Sequence, residues 1–226
     1  MIDETGWLDW TTKAPGPHDK VYSQRNSIEG FACHSMVGYY PGALSRLLSQ
    51  QRTEDGRYTA YAAASWHFSI RYTGEVMQHY SVWESCWTTG SRKANTMTVA
   101  SELEGGFNPT TEPMTEAQAR SWVRIIKDLE AYRDFPFVVG ANIRQHKEWV
   151  ALYGGNATAC ASDRYQKGYD LLEEDDMTDE ELKAALKRIG YADDVGAIDV
   201  SLRAAEIARW SAVNKASDPN NVPKEG

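Results

Sequence analysis

Cysteine is scarce. The 226-residue chain has three, Cys33, Cys86 and Cys160, an odd and sparse set that does not look like a disulfide framework. Cys33 and Cys86 are expected to behave as small buried apolar residues. Long apolar runs are absent, and none approaches the ~20 residues of a membrane-spanning helix, so no membrane insertion is expected. Positive charge is in deficit: 24 Lys and Arg stand against 32 Asp and Glu, a formal net charge of −8. No basic excess is left to neutralise phosphates, which argues against nucleic acid as a partner. The same deficit argues against non-specific adhesion to an anionic wall or membrane. The opening residues, Met1 to Gly6, lack the basic and apolar segments of a signal peptide, and the chain is expected to be made in the cytoplasm. There is no internal repeat and no compact CxxC or HExxH.

What is present describes a globular protein. Hydrophobic residues make up 42% and eight are Trp, enough for one domain with a sizeable core plus an appendage. Residues 1–28 are polar and turn-rich and read as an extended arm lying on the domain. Gly30 to Met36 is a short apolar strand. Pro41 opens a helix striped with Leu44, Leu47 and Leu48. Two β-like runs, Ser65 to Arg71 and Glu75 to Tyr80, flank Tyr72-Thr73-Gly74, a hairpin signal. Met97 to Glu104 is a strand ended by Gly105-Gly106. Thr115 and Gln118 form a capping box for a helix with Ala119, Trp122, Ile126 and Leu129 on one face, and Pro136 to Ala141 reads as a further strand. This alternation predicts an α/β fold, a central mixed β-sheet flanked by helices, with a helical C-terminal extension. Composition divides the chain into a domain over 1–170 and an acidic extension over 171–226. The extension carries a second capping box, Thr178 with Glu181, a helix ended by Gly190, another over roughly 198–213, and a polar tail.

His34, His146 and Cys160 point to chemistry. Two imidazoles and a thiolate suffice to hold a catalytic zinc whose fourth position stays open for water. Taken singly, an imidazole on an apolar strand such as His34 is more often a core residue, and the spacing adds no compact motif. His146 suits a position at a strand's end, and Cys160 lies in a loop of small and polar residues. Between them, Glu102 and Glu104 alternate along one strand and share a face. A solvated edge is one reading of that pair. The other points Glu102 into the metal cleft as the general base.

In their order along the chain these residues resemble the zinc-dependent N-acetylmuramoyl-L-alanine amidases. After His34 come Ser65-Trp66-His67-Phe68-Ser69-Ile70, Gly74-Glu75-Val76-Met77-Gln78, Cys86-Trp87 and Asn95. Ser101-Glu102-Leu103-Glu104-Gly105, Gln118, His146 and Cys160 follow. The resemblance spans roughly residues 28–165, and the order of the motifs is more specific than any one of them. It implies a mixed sheet with helices on both sides and Zn2+ in a cleft at its edge, held by His34, His146 and Cys160. It implies that Glu102 occupies the place of the acidic catalytic residue, with Glu104 as runner-up. The implied substrate is peptidoglycan, cut between N-acetylmuramic acid and L-alanine. The implied setting is a monomeric phage endolysin, made in the host cytoplasm and acting on the wall after release. His67, Trp87 and Asn95 are expected on the substrate side, with Trp66 and Trp149 as further aromatic candidates.

Three departures stand out. Trp66 occupies the place of a catalytic Tyr found in some branches, Thr158 that of a common Lys, and Ala161-Ser162 that of a usual Pro-Gly. The usual oxyanion donors are therefore missing, and His67 and Arg164 are candidate substitutes. Asp163 is an alternative third ligand. The rival function on the same fold is a peptidoglycan-binding module without catalysis.

Overall fold

A computed structural model describes residues 1–106 and 112–174. The helices expected near 178–190 and 198–213 lie outside the described residues. Six strands form the main sheet: β1 (Thr12–Lys13), β3 (Gly30–Ser35), β4 (Phe68–Ile70), β5 (Val76–Gln78), β7 (Thr98–Leu103) and β8 (Ile143–Gln145). Their order is β1-β5-β4-β7-β3-β8. A two-stranded ribbon pairs β2 (Val21–Tyr22) with β6 (Ser85–Cys86). The main sheet is mixed, because β4 and β5 pair antiparallel while the other pairs run parallel.

The two central strands explain where a site can form. Every residue of β3 is buried, as expected of a parallel strand covered on both faces. Phe31 and Cys33 join one core with Phe68, Val99 and Leu103. Ala32 joins a second, on the opposite face, with Ala100, Trp66 and Trp149. The period of two then puts His34 and Glu102 on the face of Ala32 and Ala100.

Helices cover both faces. The Thr115–Gln118 capping box forms as expected and opens α3 (Glu116–Arg133). Its apolar face, including Trp122, Ile126 and Leu129, packs on the larger core. α5 (Gln166–Glu174) packs against α3, and Tyr165 and Tyr169 both meet Trp122 edge-on at 5.7 Å. The first compact unit runs from Met1 to Glu174. On the other side lie α1 (Tyr40–Leu48), the single-turn α2 (Arg92–Asn95) and α4 (His146–Tyr153). Pro41 sits in the first turn of α1 as read from the sequence, but Tyr39 supplies no side-chain cap. Glu104 takes that role, with Oε1 accepting from the Tyr40 amide at 2.9 Å.

The hairpin at Tyr72-Thr73-Gly74 is also present. The Arg71 amide donates to the Glu75 carbonyl at 2.9 Å, and Gly74 turns the chain at φ +82°. A Cβ there would come 2.8 Å from the Ala117 carbonyl oxygen, so the position requires glycine. The N-terminal arm does more than lie on the domain: β1 extends the sheet edge, and Leu8 is fully buried.

One strand is displaced. Pro136 to Ala141 is not the strand its apolar character suggested; the strand is β8, over Ile143–Gln145. Asn142 folds the preceding segment into a turn, donating to the Pro136 carbonyl at 2.9 Å while its Oδ1 accepts from the Val138 amide. Such Asn-to-backbone bonds compete with strand pairing. Cys33 and Cys86 are free and buried, as expected. Among the described residues no helix is long and apolar enough to cross a membrane.

Candidate active site

Parallel pairing of β3 and β7 puts His34 directly opposite Glu102. Both lie at the carboxyl ends of their strands, where sites in parallel sheets commonly form. β8, on the other side of β3, delivers His146 as the first residue of α4. The loop carrying Cys160 is tied to both neighbours. Its Sγ accepts from the Ser35 amide at 3.3 Å, and its carbonyl accepts from the Lys147 amide at 2.9 Å.

The result is a set of donor atoms that can hold a metal ion. One donor atom each from His34, His146 and Cys160 lies within 4.8 Å of the other two. Sγ of Cys160 is 3.7 Å from Nδ1 of His34, and the two imidazole centroids are 4.5 Å apart. A tetrahedral zinc bonded at ~2.0–2.3 Å spaces its ligands roughly 3.3–3.8 Å apart, so small side-chain movements close the set. Glu102 Oε1 is 4.0 Å from His34 Nδ1. Among the described residues Glu102 Oε2 is buried without a hydrogen-bond partner, which leaves it free as an acceptor beside the donor set.

Burial sets the protonation states. It holds both imidazoles below their ordinary range, with His146 and Arg46 adding to the effect at His34. Both are therefore neutral and able to ligate. Burial pushes the Cys160 thiol up to about 12, with the Glu102 charge adding to it and the Ser35 amide opposing. A bound dication displaces such a proton. Glu102 is raised to about 7 by burial, while Arg46 and Arg164 pull the other way. That value suits a group exchanging protons near neutrality.

Two threonines flank the histidines. Nε2 of His34 is 2.8 Å from Thr88 Oγ1, which leaves Nδ1 facing Cys160. The Thr89 backbone lies beside His146 and favours its protonated form, against the burial that lowers it. Asn95 pins both threonines: its Oδ1 accepts from the Thr88 amide (3.1 Å), the Thr89 amide (2.7 Å) and the Thr89 hydroxyl (2.8 Å). These residues line or support a cleft of about 470 Å³, walled also by Arg46, Trp66, Trp87, Val37 and Thr158.

A sequence model described as N-acetylmuramoyl-L-alanine amidase matches residues 24–163, more than half of the chain and all of the donor set. The chain belongs to the N-acetylmuramoyl-L-alanine amidase family. No curated protein matches the sequence at a significant level. Solved structures share the amidase fold at low identity. The AmpD derivative is 17% identical, with a TM-score of 0.55 over 76% of this chain and 99% of that one. The endolysin amidase LysCS from Clostridium intestinale is 14% identical, at 0.51 over 74% and 98%. The catalytic domain of XlyA is 18% identical, at 0.51 over 73% and 97%.

Not every residue expected in this amidase cleft is there. His34, His146, Cys160, Glu102, Trp66 and Trp87 line it. His67 does not. It is fully buried, its Nδ1 accepting from the Ala100 amide at 3.1 Å and its Nε2 2.8 Å from the Glu84 carbonyl. Both nitrogens are thus spent on backbone, and the expectation of a substrate contact or oxyanion donor is corrected. Asn95 supports the wall from behind rather than facing substrate. Arg164 is no oxyanion donor either. Its buried guanidinium donates to the Glu112, Leu103 and Glu104 carbonyls and to Ser35 Oγ. Glu104 is drawn away to the amides of Tyr40 and Tyr72. Trp149 is core, donating to the Phe31 carbonyl at 3.1 Å. The Asp163 side chain lies outside what the structure describes. The sequence reading missed Arg46 and the Thr88–Thr89 pair. A Pro-opened helix straight after the His34 strand was the available sign that a side chain of α1 returns over the strand end.

Proposed function

We propose that this protein is a zinc-dependent amidase that hydrolyses the bond between N-acetylmuramic acid and L-alanine in peptidoglycan. His34, His146 and Cys160 are the ligands in this reading and Glu102 the general base. The observation that carries it is the meeting of three metal-donor atoms and one buried, unpartnered carboxylate oxygen at the floor of one cleft. Two neutral imidazoles, a displaceable thiol proton and an open fourth side fit a catalytic zinc. Bound there, zinc would supply the Lewis acidity that lowers the pKa of water to about 7 and polarises a carbonyl.

The chain's own residues do the rest. Glu102 takes a proton from the attacking water as oxygen adds to the lactyl carbonyl carbon. As the C–N bond breaks, the same carboxyl gives that proton to the departing L-alanine nitrogen. The products are a muramic carboxylate and a free amino terminus. Trp87 offers apolar surface to the glycan and peptide, and the buried Trp66 backs the cleft behind it. Trp66 is held by its indole N–H, which donates to Ser69 Oγ at 2.9 Å.

Residues 1–170 are the catalytic domain of this proposal, followed in sequence by an acidic stretch over 171–226. Its setting is host lysis by a phage endolysin that reaches the wall after release. Expression in a host should leave cells intact until the membrane is permeabilised, and then clear them; intact walls after permeabilisation contradict that setting. The chemistry is tested with purified walls. About one zinc per chain, together with turbidity loss and new L-alanine amino termini, is expected. Wall binding with no released amine would instead identify the non-catalytic binder.

A further inference from the structure

Arg46 is the one Lys or Arg among the described residues lining the cleft. It lies in the last turn of α1, whose carbonyls are gripped by the buried Lys20: Nζ donates to the Leu47 carbonyl at 2.6 Å and the Arg46 carbonyl at 3.3 Å. The guanidinium is aimed from one edge, because Nε donates to the Tyr61 carbonyl at 3.0 Å. Its two terminal amino groups have no hydrogen-bond or ion-pair partner among the described residues. A planar fork anchored at Nε and open at both Nη groups matches a carboxylate. In a chain of net charge −8, it also offsets local repulsion of an anionic substrate.

We infer that Arg46 is a specificity residue that reads a free carboxylate on the peptide side of the scissile amide. This rests on the amidase reading. His34 and Glu102 are buried at the cleft floor, so the reacting carbonyl belongs there, whereas Arg46 is exposed on the wall. One peptide residue carries the chain about 3.5 Å outward. In peptidoglycan stems L-alanine is followed by a D-glutamyl residue linked through its side chain, whose α-carboxyl is either free or amidated. Arg46 selects the free form.

The test uses the zinc-loaded full chain and two muropeptides that differ only at that group, α-carboxylate or α-carboxamide. The parent should show a KM about tenfold lower for the carboxylate, the low end of a charged hydrogen-bonded contact. Arg46→Gln should erase the preference by raising KM for the carboxylate substrate, and Arg46→Lys should restore part of it. Equal KM values in the parent overturn the inference. So does an Arg46→Gln variant that loses kcat equally on both substrates, which would put the charge at the reacting centre. Calorimetric binding of the same pair to Glu102→Gln reads the preference without turnover. Absent hydrolysis therefore counts against the amidase reading, and absent binding preference against Arg46.

Discussion

Glu102 and Val37 show two ways a single residue is set apart by its surroundings. Glu102 has a buried, unpartnered oxygen beside a metal-donor set. Replacing it with Gln keeps the shape and removes the proposed base. Glu102→Gln should retain zinc by elemental analysis yet lose ~10²–10⁴-fold in rate; an active variant assigns the proton transfer elsewhere. Val37 is a β-branched residue at φ +49°, exposed on the cleft lip with 55% of its surface free. Left-handed backbone disfavours such a residue, whereas Asn tolerates it. Val37→Asn should therefore raise stability by about 1 kcal/mol, or a melting temperature by roughly 2–4 °C. No gain would mean that the surrounding bonds, such as Gly38 to the Gly105 carbonyl, impose no strain. Glu102 was legible in the sequence as one of two carboxylates on a strand face, and His34 only through the order of motifs that carries the family resemblance. Arg46 and Thr88 were not, because a helix side chain and a loop hydroxyl reach the site only through tertiary folding.

At the scale of elements, the loop after β6 and the turn of α2 act as a bracket for the proposed metal ligands. Asn95, at the end of α2, satisfies three donors of Thr88 and Thr89; Thr88 holds the His34 imidazole and the Thr89 backbone lies beside His146. Partners that fix ligand orientation typically contribute 10–100-fold in metal affinity. Asn95→Ala should weaken zinc binding by about that factor in a chelator competition; unchanged affinity would leave Asn95 a purely structural group. The elements themselves were largely readable. β3, the β4–β5 hairpin, β7 and the capped α3 follow from apolar runs, turn residues and the Thr115–Gln118 pair. β8 slipped because an apolar run carries no register, and Asn142, which decides it, looked like any other polar residue. α4 and α5 went unread, since His146 opens and Tyr165 precedes short helices whose apolar faces are defined by neighbours rather than by a long period.

The whole molecule couples its sheet to pH through buried imidazoles. Burial lowers His67 and His79 to about 4, with the Glu84 and Ala14 carbonyls respectively opposing. His79 bridges the arm to the cleft wall, with Nδ1 2.7 Å from the Ala14 carbonyl and Nε2 2.9 Å from Ser69 Oγ. The unfolded chain takes up protons on these groups near pH 6.5 and the folded chain resists, so their stabilisation is complete above that pH and is lost as pH falls towards 4. Glu102, raised to about 7, works in the opposite sense, so the clean comparison is between variants. The urea midpoint should fall less between pH 7 and pH 5 in His79→Asn than in the parent, and identical falls would show that His79 is not held neutral. The domain as a whole exists, on this account, to bring His34, His146, Cys160 and Glu102 to one cleft for amide hydrolysis. Mass spectrometry of purified peptidoglycan digested with the zinc-loaded protein tests that most directly. The account predicts new fragments with a free L-alanine amino terminus, absent with Glu102→Gln. Digestion that releases no L-alanine amine, or releases it equally from the variant, would contradict it.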